Sequence, residues 1–315
     1  MSIIMANKTI NNIFIGNKNN IPKAVTKIFA GGKNDIPYLV WSKEKIEIGK
    51  IYTITESGIW IVPEGVSLID VFLVGGGGGG AGSTYGANAY YAGGGGGGGG
   101  HTKTVLNIAV TEGQQIKTII GYGGEGGVPV NSFTGNNGTD GGTTSFGIYS
   151  ADGGKSPNMI PSNKTTSGDG GSGGGQGGEV SGSTGVLNKE CGGNGGTDGS
   201  NGYVNNHMSH AYAQTSSFGI GQQTTTRAFG ENEGLIYACG GDGGNAGKTT
   251  TQSGGIVKGG YYTSDDNTTL NGEDAMHNTG NGGGGGGRVT HSQSDLTYGH
   301  GGKGGSGIIL VRIKG

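Results

Sequence analysis

The sequence predicts an all-β fold, in which a β-sandwich-like framework carries a large inserted bundle of polyglycine II helices and follows an N-terminal module of β-hairpin repeats. Three observations predict this architecture. Apolar, β-forming segments lie towards both ends of the chain, and 79 of the 315 residues are glycine, mostly clustered between those segments. A repeat with a 15-residue period opens the chain. Glycine usage is roughly 7% in ordinary proteins, so this composition requires a structural explanation.

The N-terminal module, predicted to span residues 1–42, contains the repeat. Its two copies cover residues 12–22 and 27–37, and each has β-forming residues, then a Gly/Asn-rich turn, then an apolar residue and proline. This order is typical of a short β-hairpin. Because isolated hairpins are marginally stable in water, we expect these to dock on a partner or on each other across subunits.

The second domain, residues 43–315, has its predicted framework in residues 43–74, 102–120 and 307–315. Its predicted strands are rich in β-branched and aromatic residues, and they cover residues 50–55, 58–62, 67–74, 102–110, 115–120 and 307–313. Turns are predicted at Pro63–Gly65 and Thr111–Gly113. A C-terminal strand with partners near residue 70 would close the framework with both ends of the domain. The glycine-rich bundle and loops, residues 75–101 and 121–306, would then be an insertion without helical periodicity.

Four structures could account for the glycine. Collagen is excluded, because it needs glycine at every third position and abundant proline, whereas residues 75–80 and 93–100 are unbroken glycine and the chain has six prolines. Disorder stays open as an alternative for a chain of such low complexity, although flanking strands and phased Tyr, Phe and Cys residues oppose it. Nucleotide-binding loops and polyglycine II helices are the other two.

Nucleotide binding is disfavoured at both places that suggest it. Residues 75–80 match GxGxxG only because every residue is glycine, and no helix follows that could bind phosphate. Residues 247–249 read Gly-Lys-Thr after a short apolar segment, but the upstream position that requires glycine is Asp242. We therefore expect no cofactor.

Polyglycine II helices are the preferred structure. Such a helix has three residues per turn and rises ~3.1 Å per residue, so residues 93–100 would extend over ~25 Å. It makes no internal hydrogen bonds, and neighbouring helices must satisfy its N–H and C=O groups. Glycine is needed for that close approach, and hydrogen bonds between helices offset its large folding entropy. The loops between glycine clusters would project from the ends of the bundle.

Charge and cysteine content exclude several classes of function. The net charge is −2, and only 13% of residues are charged, so we expect no nucleic-acid partner. The chain shows no signal-peptide pattern and no apolar run of ~20 residues, so we expect a soluble protein with no membrane insertion. Cys191 and Cys239 each begin a similar glycine-rich hexapeptide. We interpret the two cysteines as small apolar residues at equivalent repeat positions, with a disulfide between them as the alternative.

Side chains that could support catalysis or metal binding are sparse. His207 and His210 have metal-ligand spacing only on a helix, and their surroundings resemble a loop without further ligands, so we expect no metal site. Asp265–Asp266 and Glu273–Asp274 could each supply carboxylates for glycoside cleavage. Because acidic residues are common in polar loops, a hydrolase is an alternative and not the preferred function.

Tyrosine-containing loops are the best candidates for binding. Rigid aromatic side chains among short polar residues are typical of binding loops, and aromatic rings also stack on sugars. For any single tyrosine, the alternative is that it covers bare backbone at the side of the bundle. The candidate residues are Tyr85, Asn88, Tyr90, Tyr91, Tyr203, His207, Tyr212, Tyr261, Tyr262 and Tyr298.

Several sequence segments, taken in their order along the chain, resemble the glycine-rich domain of bacteriophage and prophage tail proteins. They are Trp60–Val66, Ile69–Gly80, Gly93–Gly100, Val110–Gln114 and Gly304–Arg312, and together they cover roughly residues 50–315. The N-terminal repeat, which leads to Leu39-Val-Trp41, is similar to the short repeats that open tail-associated proteins of phages infecting Gram-positive bacteria.

The resemblance implies a non-enzymatic virion protein of a phage tail tip, baseplate or fibre, assembled in the host cytoplasm. Its N-terminal module would attach to other virion proteins, with Ile13, Phe14, Ile28, Phe29 and Trp41 as candidate attachment residues. Similar adhesins of T-even-like phages bind receptors through tip loops of polyglycine II bundles, which implies a host-surface glycan or protein as partner. It also implies a homo-oligomer, with a trimer as one arrangement. The alternatives are a purely structural component, such as a head decoration or fibre protein, and a tail-associated glycan depolymerase.

Overall fold

The computed structural model describes the framework, much of the glycine-rich region and four N-terminal strands. The chain divides into two compact units, Met1–Glu47 and Ile48–Gly315. The described residues contain no helix with the length and hydrophobicity that crossing a membrane requires. Those residues are 3–5, 8–10, 27–30, 38–42, 47–85, 91–129, 137–160, 164–165, 168–175, 177, 179–180, 215–216, 227–247, 255–261, 270–292 and 295–315.

Strands make up nearly all the regular structure in these ranges, and the helix found there is a 3₁₀ turn at Ala228–Gly230. The predicted all-β class is confirmed. In chain order the strands are β1 (Ile3–Met5), β2 (Lys8–Ile10), β3 (Lys27–Ala30), β4 (Tyr38–Ser42), β5 (Ile51–Ile54), β6 (Gly58–Ile61), β7 (Leu68–Val74), β8 (Thr84–Tyr85), β9 (Tyr91–Ala92), β10 (Thr102–Ala109), β11 (Gln115–Ile119), β12 (Thr144–Phe146), β13 (Tyr149–Ala151), β14 (Met159–Ile160), β15 (Lys164–Thr165), β16 (Glu179–Val180), β17 (Thr215–Ser216), β18 (Ala246–Gly247), β19 (Arg288–Ser292), β20 (Asp295–Tyr298) and β21 (Ile308–Ile313).

Two four-stranded antiparallel sheets form the framework. Their strand orders are β10-β7-β21-β5 and β13-β12-β11-β6. In the first sheet the C-terminal strand lies between β7 and β5, with Leu310 opposite both Phe72 and Thr53. The predicted closure by a C-terminal strand that pairs near residue 70 is therefore confirmed. All six predicted framework strands are present, whereas the short β12 and β13 were not predicted because glycine flanks them closely.

Turns and aromatic side chains connect the strands of the framework. Gly65 and Gly113, in the two predicted turns, have positive φ angles of 78° and 74°, which glycine adopts without steric cost. The Gly65 N–H donates to Glu112 Oε2 at 2.9 Å, so the two turns are joined. The Trp60 ring lies 6.2 Å from Tyr52 of the first sheet and 5.7 Å from Phe146 of the second.

The central strands β7 and β21 are buried on both faces. Alternate side chains of a strand point to opposite faces, yet residues 69–74 are all buried. Residues 227–238, which we call the strap, cover the face that carries Phe72, and the rings of Phe229 and Tyr237 lie 6.1 and 5.4 Å from the Phe72 ring. This double burial explains why both strands are almost continuously apolar.

The N-terminal unit contains two antiparallel hairpins. Strand β1 pairs with β2, which was not predicted, and β3 pairs with β4. The second sequence repeat, residues 27–37, therefore begins with β3. The partner strand β4 follows Pro37, and Ile28 of β3 lies opposite Trp41 of β4. The first repeat, residues 12–22, lies outside the described residues.

The glycine-rich segments lie side by side and hydrogen-bond to one another, an assembly that we call the glycine lattice. Successive N–H groups of residues 75–80 donate to three neighbours in rotation, so that each neighbour is bonded at every third residue. Those neighbours are residues 98–101, 139–142 and 302–305. The C=O groups of residues 76–78, 80 and 81 accept from three further neighbours, which are Gly154, residues 124–127 and residues 283–286. The segment is thus bonded on all sides.

Glycine is required where these segments approach each other. A Cβ atom on Gly97 would overlap the backbone carbonyl of Gly78, and a Cβ on Gly77 would overlap that of Asn281. Backbone atoms cannot rotate away as a flexible side chain could, so the segments would have to separate. The same three-residue rotation of partners occurs in residues 96–101 and 282–288, where each N–H reaches a backbone carbonyl of a neighbouring segment.

Candidate functional site

The glycine lattice has two ends, which we call the framework end and the distal end. Residues 75–81 begin directly after β7, and residues 93–101 end directly before β10, which defines the framework end. At the distal end the same segments lead to β8 and come from β9. Residues 280–287 likewise lead to β19, and residues 299–307 return from β20 to β21. Strands β8, β9, β18, β19 and β20 therefore mark the distal end.

Four of the tyrosines predicted to bind a receptor lie at the distal end. Tyr85 and Tyr91 are opposite each other in the β8–β9 hairpin. Tyr298 ends β20. Tyr261 follows a glycine whose N–H donates to the carbonyl of Gly285, close to the start of β19. Folding of the lattice thus collects at one end residues that are far apart in the sequence.

Tyr298 is held by a buried cation. Arg288, its cross-strand partner, is 1% exposed, and its guanidinium carbon lies 5.3 Å from the centroid of the Tyr298 ring. This distance is within the range of a cation–π interaction, which is strengthened by burial. Tyr298 itself is partly exposed. A partly exposed ring on a fixed support suits a contact residue, since little side-chain entropy remains to be lost on binding.

The remaining predicted binding residues lie outside the described residues. They are Asn88, Tyr90, Tyr203, His207, Tyr212 and Tyr262. In chain order, Asn88 and Tyr90 fall between β8 and β9. Of the candidate attachment residues, Ile28 and Phe29 are in β3 and Trp41 is in β4, whereas Ile13 and Phe14 lie outside the described residues.

A row of side chains on the side of the lattice was not predicted. Between residues 121 and 128, Tyr122, Glu125 and Val128 are exposed, and the glycines that separate them are buried or half-buried. This exposure has a period of three, as the hydrogen bonding does. The signal was present in the sequence as the two triplets Tyr-Gly-Gly and Glu-Gly-Gly followed by Val128, which place a side chain at every third position from 122 to 128.

A second row lies beside the first one. His300, Lys303 and Ser306 are spaced by three, and the first two are exposed while Ser306 is half-buried. Lys303 Nζ lies 2.8 Å from Glu125 Oε2, which joins the two rows. The hydrogen bond from Lys303 to Glu125 and the charge of that carboxylate raise the pKa of Lys303 above its usual value. Both side chains are more than half exposed, so the pair is screened by solvent.

Carboxylates elsewhere on the lattice accept hydrogen bonds from backbone donors. Asp274 Oδ1 accepts from the Lys303 N–H at 2.7 Å, and Glu273 Oε2 accepts from the Lys258 N–H at 3.1 Å. These two carboxylates, the candidates for glycoside cleavage, therefore accept hydrogen bonds from backbone N–H groups of neighbouring segments. The other pair, Asp265–Asp266, lies outside the described residues.

The remaining sequence motifs are part of the lattice. Every N–H of residues 75–80 donates to a neighbouring carbonyl, which leaves none directed at a phosphate. Asp242 is buried, and its Oδ2 accepts from the Gly255 N–H at 2.8 Å. Cys239 is buried, and its N–H donates to Asn281 Oδ1 at 2.8 Å. In the ranges that the structure describes, no three side chains of metal-ligand type come together. Cys191 lies outside those ranges.

The framework contains a buried carboxylate at the base of the strap. Asp70 accepts hydrogen bonds from Arg312 Nη2 and from the Asn107 N–H, both at 2.8 Å. Burial raises the pKa of Asp70, but the hydrogen bonds from Asn107 and Arg312 and the positive charges of Arg312 and Lys314 outweigh it, and the pKa lies below the usual value. Arg312 also pairs with Glu231 of the strap at 3.1 Å and lies 4.2 Å from the Phe229 ring centroid. These contacts hold the strap on the first sheet.

Comparison with models of protein families places most of the chain in a known family. A family model described as a glycine-rich domain matches residues 53–314, which is most of the chain. The chain therefore belongs to this glycine-rich domain family. A search of curated proteins finds no match.

Proposed function

We propose that this member of the glycine-rich domain family is a non-enzymatic virion protein of a bacteriophage tail tip, baseplate or fibre, which presents binding loops at the distal end of its glycine lattice. The observation that carries the proposal is the convergence of Tyr85, Tyr91, Tyr261 and Tyr298 at that end. Binding loops on a rigid support are a common arrangement, because a fixed scaffold limits the entropy lost on binding.

The lattice is, in this proposal, a bundle of polyglycine II helices. Three residues per turn is the period of that helix, and the rotation of partners along residues 75–80 has the same period. A bundle of this kind is rigid, since each segment is bonded to several neighbours and few bonds can be lost without separating whole segments. The two framework sheets would form the β-sandwich at its base, a proposal supported by the Trp60 contacts with Tyr52 and Phe146.

The proposed partner is a glycan or protein on the surface of a Gram-positive host. The test is binding of fluorescently labelled protein to a panel of intact Gram-positive bacteria and to a glycan array. We expect a subset of strains or glycans to bind, and we expect replacement of residues 83–92 by a Gly/Ser linker to reduce that binding at least tenfold. A matched control changes the opposite end, by replacing the exposed Ile148 in the β12–β13 turn with serine, and should leave binding unchanged.

The N-terminal unit, in this proposal, attaches the protein to other virion proteins. The division of the chain into two compact units, Met1–Glu47 and Ile48–Gly315, supports separate roles for them. Deletion of residues 1–42 should abolish incorporation into phage particles while the thermal unfolding of the remaining unit stays unchanged. Incorporation of the truncated protein at the wild-type level would refute the attachment role.

A purely structural role is the alternative, and the extensive bonding of the lattice favours it as much as it favours a support for loops. The two roles predict different results. A structural component binds isolated virions tightly and binds neither host cells nor glycans. A depolymerase would release reducing sugar from host envelopes, a result that would overturn the non-enzymatic assignment.

A further inference from the structure

We propose that the side of the lattice formed by Tyr122, Glu125, Val128, His300, Lys303 and Ser306, which we call the lateral face, binds the same face of a second copy of this chain. The proposal does not depend on what the distal end binds. It rests on the direction of the two rows, on the placement of their charges and on the glycines between them.

The two rows of the lateral face run in opposite directions. The N–H of Gly304 donates to the carbonyl of Gly124, and the N–H of Gly301 donates to that of Gly127. Residue numbers therefore rise along one row where they fall along the other. Tyr122 is at the same level as Ser306, Glu125 at the level of Lys303, and Val128 at the level of His300.

A two-fold axis that lies in the interface, parallel to the rows and midway between them, exchanges the rows and keeps their levels. It places Glu125 of each copy opposite Lys303 of the other, so that two ion pairs become a network of four charges. It also places Tyr122 opposite Ser306 and Val128 opposite His300. A dimer interface of this kind uses one patch on both copies, which must then be self-complementary. The lateral face meets that condition, because each charge meets its opposite and neither row meets itself.

The surface between the rows permits a close approach. Gly123, Gly126 and Gly301 are half-buried and carry no side chains, so bare backbone lies between the side chains of the two rows. Tyr122 is 69% exposed and Val128 is 46% exposed in the single chain. Side chains of the second copy can lie against this backbone and cover these apolar groups, which removes apolar surface from water.

The interface is small, and the association should be weak in free solution. Each row extends over ~19 Å from its first to its last side chain, if the rise is ~3.1 Å per residue. Two such rows cover less than the roughly 800 Å² per partner of stable complexes. In the proposed virion role, copies tethered to one particle would have effective concentrations in the millimolar range, where a weak contact of this type is occupied.

Sedimentation velocity of the full chain over about 0.01 to 1 mM tests the proposal, since these concentrations bracket the affinity expected of a small interface. The wild type should show a dimer that grows with concentration and weakens with salt. The variants E125K and K303E should each be monomeric, because like charges then meet twice across the two-fold axis, with association weakened at least tenfold. An equimolar mixture of the two variants should associate again, because each offers the opposite charge to the other.

The matched control is D140K, which reverses a charge in another lattice row, where Asp140 pairs with Lys155 at 2.9 Å. It should sediment as the wild type does. Thermal unfolding of each variant shows that it is folded, which we expect because these side chains are exposed. A wild type that stays monomeric throughout, a mixture that fails to associate, or a D140K variant that is as impaired as E125K would each overturn the proposal.

Discussion

Replacing Gly97 with alanine tests whether bare backbone is the packing surface of the glycine lattice. The added Cβ would overlap the carbonyl of Gly78 on the neighbouring segment. That carbonyl has to retreat by more than 1 Å before the contact is ordinary. The hydrogen bond from the Gly78 N–H to Gly98, now 2.9 Å long, would then exceed the length at which such a bond exists.

The expected loss of stability follows from the groups left unpaired. A lost hydrogen bond costs about 1 kcal/mol, and each buried donor or acceptor left without a partner adds about 1–3 kcal/mol. The free energy of unfolding should therefore fall by about 3–5 kcal/mol, a large part of the ~5–15 kcal/mol that stabilises most proteins. At roughly 2–4 °C per kcal/mol for a domain of about this size, Tm should fall by roughly 6–20 °C.

The matched control is Gly58→Ala at the start of β6, where a Cβ would meet no atom within 4 Å. Because alanine restricts the unfolded chain, this change should be neutral or stabilising by about 0.4–1 kcal/mol. Differential scanning calorimetry of both variants measures the contrast. If Gly97→Ala unfolds within about 2 °C of the wild type, a shift that corresponds to less than ~1 kcal/mol, the idea that the lattice excludes side chains is wrong.

Three further variants probe the framework and the lattice surface. Asp70→Asn should lower the free energy of unfolding by about 3 kcal/mol at pH 7, because it leaves Arg312 without its buried charge partner. Because the folded pKa of Asp70 is lowered, the stabilisation that its carboxylate contributes is present above pH ~4 and is lost as the pH falls through the folded pKa. In urea unfolding at pH 3, the free energies of unfolding of the wild type and Asp70→Asn should therefore differ less than at pH 7. Phe229→Ala should cost about 1–3 kcal/mol, less than a fully buried phenylalanine, and should accelerate proteolysis within the strap if Phe229 holds it on Phe72; unchanged proteolysis would contradict that role. Lys155→Ala should change stability by less than ~1 kcal/mol in thermal unfolding, because both side chains of its ion pair with Asp140 are at least half exposed; a larger loss would show that the pair is part of a network.

Much of the framework could be predicted because its signals are local. Runs of β-branched and aromatic residues identified all six main strands, and the positive φ of Gly65 and Gly113 agrees with the turns predicted there. The short strands β12 and β13 were missed because three residues carry too little pattern. The strap was also missed, because a segment such as residues 227–238 contains no local sign of the surface that it covers.

The candidate site was predictable only in part. Tyr85 and Tyr91 could be selected by their loop composition, but their proximity to Tyr261 and Tyr298 depends on the path of several glycine segments. Glycine has no side chain, so one glycine segment resembles another and the sequence does not say which ones are neighbours. The lateral face, in contrast, had a readable signal in the three-residue spacing from Tyr122 to Val128.

The sequence by itself determined that strands enclose a glycine-rich insertion, that the C-terminal strand returns to the region of residue 70, and that glycine is needed as a packing surface. Only the tertiary structure decided which segments bond to each other, that the strap covers Phe72, and that Asp70 meets Arg312. The physical reason is that secondary structure and turn formation depend on residues close in the chain. Pairing of bare backbones depends on the whole arrangement, because every amide offers the same donor and acceptor.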